Sequence, residues 1–152
     1  MALDRIDAGI VAVLQNDARL SNKELAAKVG LAPSTCLERV KRLRATGVLL
    51  GFHAEVSPQA LGVGLQAFVA IRLGRHSREV YEAFQAHVIS LREVVASYHV
   101  AGATDFMLHV AVRDPEHLRT LILDAFTTWE GVVHVETTLI YDYRRAALPH
   151  YG

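Results

Sequence analysis

SNKELAAKVGLAPSTCLERVKRLR, residues 21 to 44, decides how this chain folds. It reads as two short helices joined by a tight turn. Ser21 can cap the first helix, and Glu24, three residues later, completes a capping box. Leu25, Ala26 and Val29 recur at helical spacing, and Gly30 can take the left-handed conformation that closes a helix. Leu31 fills the turn. Pro33 suits the first turn of a second helix, where its missing N–H costs nothing. In that second helix Cys36, Leu37, Val40 and Leu43 form one stripe for packing. Ser34, Thr35, Glu38, Arg39 and Arg42 lie off the stripe, short and polar first, basic later. This outer face suits a major groove, with N-terminal side chains on base edges and basic ones on phosphates. The plainer alternative is the solvated face of a small helical bundle.

Upstream, Asp4 can cap a first helix with Ile6, Ile10, Val13 and Leu14 on its inner side. Asp17-Ala18-Arg19 breaks the pattern. Downstream, Gly47 stops the third helix, and VLLGFHAEV (48 to 56) predicts a short strand or small wing. Turn chemistry at Ser57-Pro58-Gln59 and Gly62-Val63-Gly64 marks a boundary. The domain reading is therefore a small helical domain over 1–51, a linker strand and hinge over 52–64, and a second module over 65–152.

In the second module the periodicity changes. Leu65, Ala67, Val69, Ile71 and Leu73 alternate as a strand. Ser77 can cap a helix whose Val80, Tyr81, Phe84 and Val88 share a face. Val94 to Ala101 predicts a second strand, Gly102-Ala103-Thr104 a turn, and Phe106 to Val112 a third strand. Asp114-Pro115 opens a helix that Gly131 ends, with Leu118, Leu121, Ile122, Ala125 and Phe126 in one stripe. Val132 to Asp142 predicts the last strand, and 144 to 152 a loose tail. The order βαββαβ is the ferredoxin-like arrangement, so the fold class is α+β. One sheet face (Val69, Ile71, Leu108, Val110, Val133, Val135) should lie under the helices. The other (Phe68, Ala70, Val100, Met107, Ala111, Ile140) is too apolar to stay wet, which predicts a second copy, sheet against sheet.

Charge supports a division of labour. Residues 1 to 51 hold eight Lys/Arg against five Asp/Glu, a net +3; residues 52 to 152 hold eight against eleven, a net −3. A modestly basic domain attached to an acidic one fits a DNA reader that works in several copies. No run of about 18 apolar residues is present, so no membrane span is expected. LDRIDAGIV lacks the order of a signal peptide, and one cysteine leaves no internal disulfide; together these predict the cytoplasm.

At this point the residues carry a resemblance. LDRIDAGIVAVLQNDARLSNKELAAKVGLAPSTCLERVKRL, then GFHAEVSPQALG, then VAGATDFMLHV, resemble the Lrp/AsnC (leucine-responsive, feast–famine) transcription regulators over nearly the whole chain. The resemblance implies a winged helix-turn-helix joined to an amino-acid-sensing module of the RAM/ACT-like type, and homodimers that assemble further, up to octamers. The DNA-contacting positions it implies are Ser21, Asn22, Ser34, Thr35, Glu38, Arg39 and Arg42. It implies an amino-acid effector between subunits, around Gly102-Ala103-Thr104-Asp105, with Tyr98, Val100, Thr127, Thr137 and Leu139 completing the site. Backbone N–H groups of a glycine turn can hold an α-carboxylate, and Asp105 can accept from an α-ammonium. Without the resemblance the same four residues read as an ordinary hairpin turn. Two positions depart from the family pattern: Ala103 stands where many relatives have an acid, and Ala32 where many have a capping serine.

Other chemistry finds little footing. The eight histidines show no metal-ligand spacing, so no metal and no cofactor other than the effector is expected. Cys36 reads as a small buried apolar residue. No phosphate-cradling loop or nucleophile motif is present. An enzyme built on the ferredoxin-like module is therefore disfavoured. The remaining alternative to an amino-acid-responsive regulator is an architectural DNA-binding protein without a ligand.

Overall fold

The computed structural model describes residues 3–151, which form two compact units. One runs through Glu55 and takes in the tail from Arg144; the other is Val56–Tyr143.

The first unit holds α1 (Arg5–Asn16), α2 (Asn22–Val29) and α3 (Pro33–Ala45). Each start and stop has a local cause. The Asp4 side chain accepts from Asp7 N–H at the head of α1. Ser21 and Glu24 close a reciprocal capping box on α2, and Gly30, at φ 70°, ends that helix in the left-handed region. Pro33 opens α3 after Ala32, which supplies no side-chain cap. Ile10, Leu14, Leu25, Ala26, Cys36 and Leu43 make the core. On α3 the inward stripe is Cys36, Val40 and Leu43; Leu37, expected on it, is 41% exposed.

The expected wing is corrected. Val48 to Val56 contains no strand. The N–H groups of Val48 and Leu49 both turn back to the Leu43 carbonyl and finish α3, and no neighbouring segment offers a ladder. Arg44 instead lies over the Phe52 ring at 5.8 Å. The tail is not loose at Leu148, whose backbone exchanges two hydrogen bonds with the Gln15 amide (3.2 and 2.8 Å).

The second unit is β1 (Leu65–Leu73), α4 (Arg78–Ser90), β2 (Val94–His99), β3 (Phe106–Val112), α5 (Pro115–Leu121) and β4 (Val132–Leu139). The sheet order is β2-β3-β1-β4, antiparallel throughout. Ser77 caps α4, and Asp114 with Pro115 opens α5. Val69, Ile71, Leu108, Val110, Phe84, Leu121 and Phe126 are among the buried residues between sheet and helices.

Two details differ from the periodicity. After α5 the chain continues as a π-helical turn, Ile122–Thr127, where His87 Nε2 meets the Ala125 carbonyl at 2.7 Å. On β4 the register shifts, because Leu73 faces Val132 while Arg72 faces His134. Val133 is the extra residue of this bulge and is 57% exposed, and Val132 joins Val135 against the core in its place. The face away from the helices carries Phe68, Ala70, Tyr98 and Met107 in register, with Phe68 and Tyr98 exposed.

Candidate nucleic-acid interface and effector turn

The N-terminal part of α3 presents Ser34, Thr35 and Glu38 to solvent. The two arginines behave otherwise. Arg39, on the turn after Thr35, reaches back to α1, where it pairs with Asp4 and, at 2.8 Å, with Asp7. Arg42 pairs with the other Asp7 oxygen at 2.6 Å. The expectation that both project freely outward is thus corrected: Asp7 is buried on α1, and two guanidinium groups converge on it. The Arg39 hydrogen bond, then the Asp7 N–H, holds the Asp4 carboxyl below the usual carboxylate range, and Asp4 and Asp7 push the Arg39 guanidinium higher still.

Ser21 and Asn22 also have internal duties. Ser21 belongs to the capping box, and the Asn22 amide donates to the Pro33 carbonyl at 2.7 Å, tying the head of α2 to the head of α3. Burial pushes the Cys36 thiol up, the environment of an inert core cysteine.

In the second unit the turn between β2 and β3 has Gly102 at φ 147° with nothing near the position of an added side chain. Val100 N–H donates to the Asp105 carbonyl, and Asp105 N–H to the Ile71 carbonyl, both at 2.9 Å. Gly102 and Ala103 are exposed and Thr104 is half-buried. Asp105 is buried. Its carboxylate accepts from Leu73 N–H at 2.7 Å and from the Tyr81 hydroxyl at 3.2 Å, and His76 Nδ1 lies 3.4 Å away. His76 Nδ1 also meets the Tyr81 hydroxyl at 2.7 Å. Asp105 is therefore a clasp between the turn, the end of β1 and α4. Burial, then Asp105, raises the Tyr81 hydroxyl's pKa.

The nine candidate effector residues do not meet in one cavity of one chain. Val100 and Gly102 to Asp105 form the turn, with Tyr98 on the open sheet face. Thr137 and Leu139 lie on β4 at the opposite sheet edge, on the helix side, paired with Val69 and Ala67. Thr127 ends the π-helical turn. A cavity of about 430 Å³ opens between α4 and the end of β2, lined by Tyr81, Gln85, Ile89, His99 and Phe106 among others. Another, of about 650 Å³, lies by Gly74, Arg75, Trp129 and Glu130. Among the described residues no group of three or more His, Cys, Asp or Glu side chains could hold a metal ion. No helix among them is long and apolar enough to cross a membrane.

Sequence reasoning missed Asp7 and the Tyr81–His76 pair. Asp7 had a legible signal: it sits three residues before Ile10 and seven before Leu14, an acid on the buried stripe of α1. An acid there requires a counter-charge, and α3 has the arginines to supply it. Tyr81 looked like any apolar member of its helix face; His76 is five residues away, but the Asp105 carboxylate that both meet is remote in sequence.

The comparisons follow this division. A family model described as the AsnC-type helix-turn-helix domain matches residues 3–44, and one described as the Lrp/AsnC ligand binding domain matches residues 66–144. The HTH-type transcriptional regulator AldR of Mycolicibacterium smegmatis is 42% identical over 147 residues, covering 97% of this chain and 86% of that protein. The leucine-responsive regulatory protein of Escherichia coli is 38% identical over 140 residues, covering 92% and 85%. Among solved structures, a transcriptional regulator of Neisseria meningitidis in complex with L-Met superposes with a TM-score of 0.90 at 32% identity, covering 97% of both chains. The first matched segment falls in the helical unit and the second, but for its last residue, in the sheet unit, and the full-length likeness is far above chance resemblance of fold. This chain belongs to the Lrp/AsnC family of transcriptional regulators.

Proposed function

We propose that this chain binds specific double-stranded DNA through its N-terminal unit, and that an amino acid held between subunits of a homo-oligomer sets its assembly and its DNA affinity. Residues 1–51 read DNA, 52–64 connect, and 65–152 bind the effector and assemble the oligomer, with the tail returning to the reader. The chain acts as a regulator in the cytoplasm and not as an enzyme. Ser34, Thr35 and Glu38 contact base edges, and Arg42 contacts phosphate. Ser21, Asn22 and Arg39 support the reader's geometry.

The observation that carries this reading is the separation of the effector residues. The turn at Gly102–Asp105 and the strand residues Thr137 and Leu139 lie on opposite edges of the sheet, on β2–β3 and β4. A site that needs both sets is completed when one copy brings its turn to another copy's strand, which makes the ligand sensitive to assembly. The open face with Phe68 and Met107 supplies the first dimer contact, and octamers follow from dimers.

The neighbour in complex with L-Met supports an amino-acid ligand. A second reading, ligand-free architectural binding, is favoured by one observation: the Asp105 carboxylate is already engaged by Leu73, Tyr81 and His76. The two separate in a thermal-shift screen of the twenty amino acids, since a ligand that binds the folded state raises its stability by mass action. We expect at least one amino acid to raise the melting temperature, and Leu139→Glu, at an exposed position, to abolish that rise. No shift with any of them would favour the architectural reading.

A further inference from the structure

Asp7 has a further part to play on the reading of α3 as the DNA-contacting helix. Asp7 is 3% exposed, in the first turn of α1. A carboxylate beside Ile10 and Leu14 is costly to bury unless both oxygens are paired. Here one oxygen takes Arg39 at 2.8 Å and the other Arg42 at 2.6 Å. Asp4 adds a second acceptor for Arg39. The two arginines stand three residues apart on α3, so one carboxylate holds the helix at two points.

The pairing leaves the arginines unequal. The Arg39 side chain is 23% exposed and its terminal nitrogen serves two acids. The Arg42 side chain is 49% exposed and uses one nitrogen on Asp7; among the described residues it has no other partner. A guanidinium has five N–H donors in a rigid fork, so Arg42 can give the rest to a phosphate while staying on Asp7.

We propose that Asp7 is a positioning residue for DNA reading: it fixes Arg39 as an internal strut and aims Arg42 at a backbone phosphate, setting the register in which Ser34, Thr35 and Glu38 meet base edges. Asp7 also cancels charge, so it restrains binding to arbitrary sequence. Removing its charge should therefore loosen specificity and strengthen the electrostatic component together.

The test uses the full chain and two duplexes, one selected from a random pool by the wild-type protein and one scrambled, titrated over a range of salt. For Asp7→Asn we expect the affinity ratio between the duplexes to fall about tenfold, as when one base-edge pairing is lost, because the reading register loosens. We expect the salt slope on the scrambled duplex to steepen by about 0.9, one additional phosphate neutralised. A structural role alone would lower affinity for both duplexes alike, with the slope unchanged, and that result, or no change at all, would overturn the proposal. If circular dichroism shows Asp7→Asn unfolded, Arg42→Lys carries the test. Lysine keeps the charge but lacks the fork, so the slope should hold while the ratio drops; an unchanged ratio would overturn the proposal equally.

Discussion

The two units are held by different physics. The sheet module closes over aromatic and branched side chains: Phe84 is fully buried, 4.9 Å from Phe106 and 5.0 Å from Trp129 between ring centres. The helical unit has a smaller core and spends polar groups on its architecture. A capping box and an aspartate cap fix its helix ends, and a buried carboxylate shared by two arginines joins α1 to α3. A three-helix unit of this size buries a smaller fraction of its apolar surface than a larger domain does, and directional bonds add to what packing supplies. In the proposed mode of reading, the groups that orient the helix also carry the charge presented to DNA. Shape and function are coupled in the reader, whereas in the sheet module the core and the open face are separable.

That contrast can be broken most forcefully in the sheet module's core. Phe84→Ala should cost about 3–5 kcal/mol in denaturant unfolding, the cost of removing a fully buried ring. A loss below about 1 kcal/mol would mean that the aromatic cluster is not what holds this unit. The open face is tested separately. Met107→Arg places a charge at the centre of the proposed sheet-to-sheet contact while leaving the core behind it untouched. Light scattering should show the oligomer falling to monomers, and an oligomer of unchanged size would refute that contact.

Acid sharpens the comparison. Burial lowers the pKa of His109, which lies on the open face against Phe68 and 2.9 Å from the Gln66 amide. The folded state therefore disfavours its imidazolium. The unfolded chain binds the proton more readily, so stability is full above the ordinary value near 6.5 and declines as pH falls from there through the lowered folded value. His109→Gln should flatten this decline in urea unfolding between pH 7.5 and 5.5; an equally steep decline would assign it to other groups. In the helical unit the corresponding acid loss comes lower. Asp4 and Glu24 both have lowered values, so their contributions are present above 3.8 and 4.5 and vanish only as pH falls through the folded ones.

The smallest effect concerns a cap. Ala32 precedes α3 without a side-chain hydrogen bond. Ala32→Ser should add about 0.5–1 kcal/mol by accepting from a free N–H of the first turn. Measured beside Phe84→Ala, it sets the scale of local against core contributions. No gain would show that water already satisfies that helix end.

Much of this molecule was legible in its residues. Asp4, Ser21, Ser77 and Asp114 each cap the helix that periodicity placed after them. β3 follows strict alternation, with one face on the core, and β1 follows it except at Ala70, which is buried on the opposite face. What escaped depends on partners far away in sequence. The bulge at Val133 arises from register against Arg72 and Leu73, and the π-helical turn is met by His87 from another helix. The wing failed because β propensity in 48–56 had no partner strand to satisfy. The outward basic face of α3 was read from helix geometry alone, which cannot tell an arginine bound for phosphate from one drawn back to a buried acid. At the candidate effector turn, Gly102 and Ala103 are exposed, but the inward claim on Asp105 was not visible in four residues.

The most direct measurement is DNA affinity of the full chain with and without an amino acid that raises its melting temperature, with sedimentation run on the same samples. Linkage between the effector site and assembly predicts a change in both oligomer size and DNA affinity, about 5–150-fold in the latter, equivalent to a coupling of about 1–3 kcal/mol. An amino acid that stabilises the protein yet leaves oligomer size and DNA affinity unchanged would contradict the account.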